Sequence, residues 1–164
     1  MAVIITMEPE PAMLFVRRRE RQGDPWSGHV AFPGGYAEPS DGSAVRTAIR
    51  ETFEETGLSL DSPARLLGTL DDVYPRSAVL PKVIVTPVAF GLPTREPVTA
   101  KEEIAAVMWI PVPQLYAPDH RRPLEIRLPT GIRTFESIVI GDVTIWGLTE
   151  RILAQLQPLI GELT

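Results

Sequence analysis

Three glutamates stand close together in the stretch RETFEETGL, residues 50–58. On an α-helix, residues three and four positions apart share a face, so Glu51 would lie beside both Glu54 and Glu55. Each like-charge pair costs about 0.2–0.5 kcal/mol, and no lysine is interleaved to offset the repulsion. Clustered carboxylates can hold a divalent cation, and oxygen-only ligands favour Mg²⁺ or Mn²⁺. The alternative is a solvated acidic face, which is the commoner fate of an acidic helix.

A glycine turn precedes these carboxylates. The stretch AFPGG, residues 31–35, runs from an apolar segment into Gly34 and Gly35. Glycine lets the backbone approach a ligand closely and turn its carbonyls toward it. Alone, the two glycines would indicate a plain turn. Followed by a helix of carboxylates, they favour a compact site for a metal-bound diphosphate.

The helix itself must border buried structure. Helix-start residues and the terminal glycine Gly57 predict a helix over residues 43–56. A helical wheel places Glu51 and Glu55 just beyond the Ala48 edge of an apolar stripe, so the carboxylates do not point into open water. The residues predicted to form this core-facing stripe are Val45, Ala48, Ile49, Thr52 and Phe53.

Short apolar segments elsewhere predict the sheet that supports this helix, and a second helix is predicted over residues 149–160. Long apolar strands with helices early and late predict an α/β/α sandwich around a mixed sheet. A chain of 164 residues has the size of one domain, so we expect a single domain over residues 1–164. The predicted strands cover residues 2–6, 13–17, 29–32, 65–74, 82–91, 104–111, 134–140 and 143–146.

The amino-acid composition limits which kinds of molecule this protein is expected to bind and where it is expected to act. The net charge of -5 and the pI near 5.1 argue against a general binder of nucleic acids or membrane surfaces. The absence of cysteine excludes disulfides and thiolate metal sites. No apolar run reaches membrane-spanning length and no signal-peptide layout begins the sequence, so we expect a cytoplasmic protein. A homodimer remains open.

The segment from residue 35 to residue 58 resembles the Nudix box. That motif is a glycine, five residues, a glutamate, seven residues, and then Arg-Glu-apolar-any-Glu-Glu-any-Gly-apolar. Two positions depart from it. Asp41 replaces the early glutamate, and eight residues rather than seven separate it from Arg50. Thr52 occupies an apolar position, where its hydroxyl can bond back to the Ala48 carbonyl. The invariant positions that match are Arg50, Glu51, Glu54, Glu55, Gly57 and Leu58.

Further segments resemble the coenzyme A diphosphatase branch of the Nudix superfamily. GHVAFPGG, residues 28–35, the aspartate after Pro39-Ser40, and IWGLTERIL, residues 145–153, are similar to that branch. Asp24 and Trp26 depart from it, because the branch usually has an arginine and a histidine there.

The resemblance implies an α/β/α Nudix fold and a metal-dependent diphosphatase. It implies that Mg²⁺ or Mn²⁺ is held by carboxylates and that a metal-activated water cuts a phosphoanhydride. Arg50 is expected to orient the carboxylates and, with Glu54, to serve catalysis. The expected metal ligands are Glu51, Glu54, Glu55 and the carbonyl of Gly35.

Other site residues follow from the same resemblance. Glu103, just before a predicted strand, is the candidate general base, and an ordinary exposed loop is an equally good interpretation of the Glu102-Glu103 pair. Arg19 falls at the position of a family arginine, and with Gly34 it is expected to bind substrate.

The expected substrate is a small nucleoside diphosphate derivative. Coenzyme A or acyl-CoA is favoured, giving 3′,5′-ADP and 4′-phosphopantetheine. ADP-ribose, a dinucleotide or a nucleoside triphosphate is the alternative with the same chemistry. A non-catalytic Nudix-like domain that binds a nucleotide or a protein is disfavoured, because such domains typically lose box glutamates that this chain retains.

Overall fold

The computed structural model describes residues 1–24, 26–75, 82–128 and 131–161. Two short 3₁₀ turns, Pro118–His120 and Gln157–Leu159, accompany the helices and strands of these ranges. The elements in chain order are β1 Ala2–Glu8, β2 Ala12–Arg18, β3 Val30–Ala31, α1 Ala44–Thr56, β4 Arg65–Thr69, β5 Val88–Thr94, β6 Ile104–Pro111, α2 Val112–Tyr116, β7 Arg121–Leu128, β8 Gly131–Ile140, β9 Val143–Trp146 and α3 Leu148–Leu156.

The main sheet is mixed, as the sequence predicts. Its strand order is β3-β2-β1-β5-β4, and β6 pairs with β2. β1 and β5 run parallel, whereas the other pairings are antiparallel. A second sheet contains β7, β8 and β9 in that order.

Two apolar clusters cover the two faces of the main sheet. Along β1, Val3 belongs to one cluster and Ile4 to the other, because successive strand side chains point to opposite faces. Ala48 of α1 packs in the cluster of Ile4, and Leu153 of α3 packs in the cluster of Val3. This layering confirms the predicted α/β/α sandwich.

Helix α1 starts one residue later than predicted, at Ala44, and ends at Thr56 as predicted. The Ser43 side chain accepts the N–H of Arg46 at 3.2 Å, which caps the N-terminus. Gly57 has φ +71 and donates its N–H to the Phe53 carbonyl at 2.8 Å. Thr52 donates its hydroxyl to the Ala48 carbonyl at 2.7 Å, so the predicted back-bond is present.

The predicted stripe on α1 is wrong at one residue. Phe53 is 58% exposed, whereas Ala48 and Thr52 are fully buried and Ile49 is partly buried. The buried face is rotated away from Phe53 and toward Glu55, because the backbone before α1 packs on that side of the helix.

The predicted strands need correction mainly beyond α1. The strand predicted over 65–74 ends at Thr69, and the one predicted over 82–91 starts only at Val88, since Pro87 cannot donate to a ladder. The helix predicted over 149–160 ends at Leu156, two residues before Pro158. β7 and the short α2 were not predicted.

None of the helices in the described ranges combines the length and the apolar character needed to span a bilayer.

Candidate active site

The three box glutamates of α1 differ in burial. Glu55 is only 6% exposed, the Glu51 side chain is 15% exposed, and the Glu54 side chain is 54% exposed. The row therefore runs from the protein interior to solvent along one side of the helix. This agrees with the expectation that the carboxylates border buried structure.

Glu55 is anchored to the glycine turn. Its Oε2 accepts the N–H of Gly34 at 2.9 Å. Burial, helped by the charges of Glu51 and Glu103, raises the pKa of Glu55 to about 7, although the Gly34 bond and the Arg18 charge oppose the rise. The site therefore holds a carboxyl group that can exchange a proton near neutral pH.

The turn is also close to Glu51. A Cβ placed on Gly35 would lie 2.6 Å from the carboxylate atoms of Glu51, so only glycine fits there without displacing that side chain. Gly34 has φ +152, and a Cβ there would come within 2.7 Å of the Met1 Cα. Gly34 is thus required by close packing against the Met1 backbone, whereas Gly35 leaves the Glu51 carboxylate its observed position.

Arg50 forms hydrogen bonds with three of the acidic side chains. Its Nη1 donates to Glu51 at 2.9 Å and to Glu54 at 3.0 Å, and its Nη2 donates to the Tyr36 carbonyl at 2.9 Å. Its Nε and Nη2 also form a fork on the Asp41 carboxylate, at 3.0 Å each. The guanidinium holds the pKa of Asp41 well below its usual range. Asp41, which departs from the motif, therefore binds the box arginine directly.

The donor set suits a hard divalent cation. In the described ranges, no three acidic or histidine side chains converge as a preassembled metal cage. Two of the carboxylates turn toward Arg50, and Glu55 turns toward the Gly34 N–H. The donors are all oxygens, Glu51 and Glu55 lie one helical turn apart, and the backbone of Gly35 approaches Glu51. These residues fit Mg²⁺ or Mn²⁺.

Glu103 and Arg19, the two predicted site residues outside α1 and the glycine turn, lie beside each other at the same edge of the main sheet. Glu103 immediately precedes β6, its carbonyl accepts the N–H of Arg19 at 2.9 Å, and its carboxylate pairs with Arg21 at 2.9 Å. Its charge contributes to the raised pKa of Glu55, so the two carboxylates are close enough to interact. The Arg19 side chain is exposed.

From sequence, Arg18 is one of four clustered arginines that could contact substrate phosphates, and strand alternation allows only a subset of them to face the site. The other three arginines are Arg17, Arg19 and Arg21. In the structure the Nη2 of Arg18 pairs with Asp24 at 3.0 Å, and the charge of Arg18 opposes the pKa shift of Glu55. Arg17, its neighbour on β2, instead pairs with Asp142 at 2.9 Å. The alternation along a strand could have separated the two arginines, but only the position of α1 tells which of them faces the carboxylates.

Comparison with known proteins identifies the family. Residues 1–128 match the NUDIX domain. The chain belongs to the Nudix hydrolase family. Membership places this domain among hydrolases that act on acid anhydrides.

Relatives of this Nudix domain include an uncharacterised Nudix hydrolase, NudL, of Yersinia pestis. It is 33% identical over 154 residues, which cover 93% of this chain and 74% of the relative. An uncharacterised protein of Schizosaccharomyces pombe is 31% identical over 145 residues, covering 81% of this chain. The matched segment spans only 44% of that longer relative.

Among solved structures, an Ap4A hydrolase of C. elegans in a binary complex has a similar fold. The TM-score is 0.53 at 18% identity, covering 67% of this chain and 76% of the other. At this identity the similarity supports the Nudix fold alone.

Proposed function

We propose that this Nudix domain hydrolyses the phosphoanhydride of a nucleoside diphosphate derivative at the carboxylates of α1. The observation that carries the proposal is Glu55, a buried carboxylate anchored to the Gly34 N–H, with Glu51 one helical turn away against Gly35. Burying a carboxylate costs free energy unless hydrogen bonds and an opposite charge compensate for it, which favours a cation at this site.

The box residues would have two roles, binding the cation and positioning its ligands. Glu51, Glu54 and Glu55 would be its side-chain ligands, and the carbonyl of Gly35 a further one. A divalent cation bound there supplies an activated water and neutralises charge on the diphosphate. Arg50 is catalytic through position and charge: it fixes the carboxylates of Glu51 and Glu54 and is itself fixed by Asp41.

Glu103 is the proposed general base. It lies at the start of β6, electrostatically coupled to Glu55 and beside the Arg19 backbone. A carboxylate there can accept the proton of the attacking water while the box carboxylates stay bound to the cation. Arg19 and Gly34 are proposed to contact the substrate.

Coenzyme A or an acyl-CoA is the proposed substrate. Water would add to one phosphorus of the diphosphate, and the bridging P–O bond would break to give 3′,5′-ADP and 4′-phosphopantetheine, or S-acyl-4′-phosphopantetheine when the substrate is an acyl-CoA. The support is the resemblance through FPGG, Pro39, Asp41 and IWGLT, together with the contact that Asp41 makes with Arg50. ADP-ribose, dinucleotides and nucleoside triphosphates remain the alternative substrates.

The test is a screen of diphosphate compounds with the purified protein. Coenzyme A, ADP-ribose and NADH are compared at equal concentration with Mg²⁺ and with Mn²⁺, and products are identified by mass. The proposal predicts the fastest release of 3′,5′-ADP from coenzyme A and no reaction with excess chelator. Much faster hydrolysis of ADP-ribose or NADH would reject coenzyme A and keep the diphosphatase chemistry.

A further inference from the structure

Arg18 lies on the side of the main sheet that α1 covers. Leu14, four residues earlier on β2, packs in the same apolar cluster as Ala48 of α1. Residues separated by an even number along a strand share a face. The charge of Arg18 reaches Glu55 on α1, whereas Arg17 turns to Asp142 on the opposite side. Arg18 is therefore a cation beside the proposed metal site.

Asp24 holds this guanidinium from one edge. Its Oδ2 accepts Nη2 of Arg18 at 3.0 Å, and its Oδ1 accepts the Trp26 N–H at 2.9 Å. Burial alone would raise the pKa of Asp24, but the Trp26 N–H and the Arg18 guanidinium hold the pKa below its usual value. Asp24 is thus charged and fixed at neutral pH.

One further nitrogen of the Arg18 guanidinium, the buried Nε, lacks a hydrogen-bond acceptor in the described ranges. A buried donor without a partner is unusual in a folded protein and calls for an explanation, such as a ligand or a water that accepts from it. Arg95 Nε is a second such donor in these ranges, on a residue that pairs with Glu10. Three other guanidinium groups on β2, the following loop and α1 are engaged by carboxylates: Arg17 by Asp142, Arg21 by Glu103, and Arg50 by Asp41. Arg19, in the loop after β2, is exposed.

We propose that Arg18, held by Asp24, binds a phosphate oxygen of the substrate's diphosphate. The guanidinium matches the geometry of phosphate oxygens and can donate to them through more than one N–H. It also supplies positive charge where the box carboxylates alone would repel the diphosphate. Asp24 acts as a positioning residue, since it touches Arg18 and not the substrate. The identity of the anion rests on the proposed function.

The Asp24–Arg18 pair also gives a physical account of one departure from the coenzyme A diphosphatase branch. That branch has an arginine at the position of Asp24. Here the acidic residue at that position pairs with an arginine on β2, so the cation comes from a strand that faces α1.

The test is direct binding of α,β-methylene-ADP, a diphosphate that cannot be hydrolysed at its bridge, in the presence of Mg²⁺. Calorimetry on Arg18→Gln should show affinity about ten- to a hundredfold weaker than that of the wild type, as expected for losing charge-assisted bonds. Arg18→Lys, which keeps the charge and loses the fork, should bind with intermediate affinity. Arg17→Gln, on the opposite face, is the matched control and should bind like the wild type.

Asp24 is tested through its coupling to Arg18. Asp24→Asn should weaken analogue binding in the wild-type background and have little effect when Arg18→Gln is already present. The double variant also removes both charges of the pair together, so it remains usable if Arg18→Gln leaves Asp24 unpaired and fails to fold.

The outcomes separate this proposal from the proposed function. Wild-type affinity in Arg18→Gln, or equal weakening in Arg17→Gln, would overturn the role of Arg18 even if the diphosphate screen shows hydrolysis. Failure of the wild type to bind the analogue would also overturn it. Selective weakening in Arg18→Gln, with no hydrolysis in the screen, would keep the anion site and reject the proposed function.

Discussion

At the scale of single residues, Glu55 should make the stability of the metal-free protein depend on pH. Its pKa rises from the ordinary value of 4.5 in an unfolded chain to about 7 in the folded protein. Between these values the folded state binds more protons, so the free energy of unfolding falls as pH rises. Glu51, whose pKa is also raised by burial, acts in the same direction.

Glu55→Gln isolates the Glu55 contribution, because the amide oxygen can still accept the Gly34 N–H. Without divalent ions, the variant should match the wild type near pH 4.5. At pH 8 it should be more stable, by up to about 3 kcal/mol. Urea unfolding at both pH values measures this difference. Equal stability of the two proteins at pH 8 would show that ionisation of Glu55 does not lower the free energy of unfolding.

The glycine turn makes a second prediction at this scale. Gly35→Ala would place a methyl group 2.6 Å from the Glu51 carboxylate, which must then leave its position. We expect turnover to fall about a hundredfold with little change in melting temperature, because misplacing a catalytic group costs rate more than stability. Gly161→Ala is the control, since a Cβ there meets no atom within 4 Å. Wild-type turnover in Gly35→Ala would remove Glu51 from the mechanism.

The proposed base can be separated from its neighbour. Glu103→Gln should lower kcat while Mn²⁺ affinity changes little, because the carboxamide cannot accept the proton of the water. Glu102→Gln, an exposed neighbour, provides the control with the same chemical change. Steady-state kinetics and Mn²⁺ titration measure the two effects. Equal kcat values for these two variants would exclude Glu103 as the base.

At the scale of elements, α1 shows which features of a helix its hydrophobic pattern can predict. The pattern located the helix and its caps, because Ser43 and Gly57 act through their own backbone neighbours. It placed Phe53 in the core, since a local stripe does not show how wide the covering sheet is. Tertiary packing instead buries Glu55, for which composition alone would predict exposure.

This correction predicts a contrast between two phenylalanines. Phe53→Ala should change the free energy of unfolding by about 1 kcal/mol or less, because the ring is already mostly exposed. Phe90→Ala, in the cluster of β5 beneath α1, should cost about 3–5 kcal/mol. Urea denaturation of both variants checks this. A similarly large decrease in the free energy of unfolding for both variants would indicate that Phe53 packs in the core.

At the scale of the whole molecule, local patterns predicted the layers and most of the candidate site. The box residues could be predicted because their spacing places them on one side of one helix. The relation of Arg18 to Asp24 and Glu55 could not, since it depends on how β2, the following loop and α1 meet. β7 was missed because its RRPLEIRL sequence is largely exposed and gains its structure by pairing with β8.

The central claim is that the buried carboxylate of α1 serves metal-dependent phosphoanhydride hydrolysis. The most direct measurement is turnover of the best diphosphate substrate by Glu55→Gln at saturating Mn²⁺, with Glu8→Gln, an exposed glutamate at the end of β1, as the control. We expect Glu55→Gln to remain folded and lose at least about a hundredfold in kcat/KM, because it loses a charged cation ligand. Glu8→Gln should match the wild type. Full activity of a folded Glu55→Gln protein would contradict the proposed site.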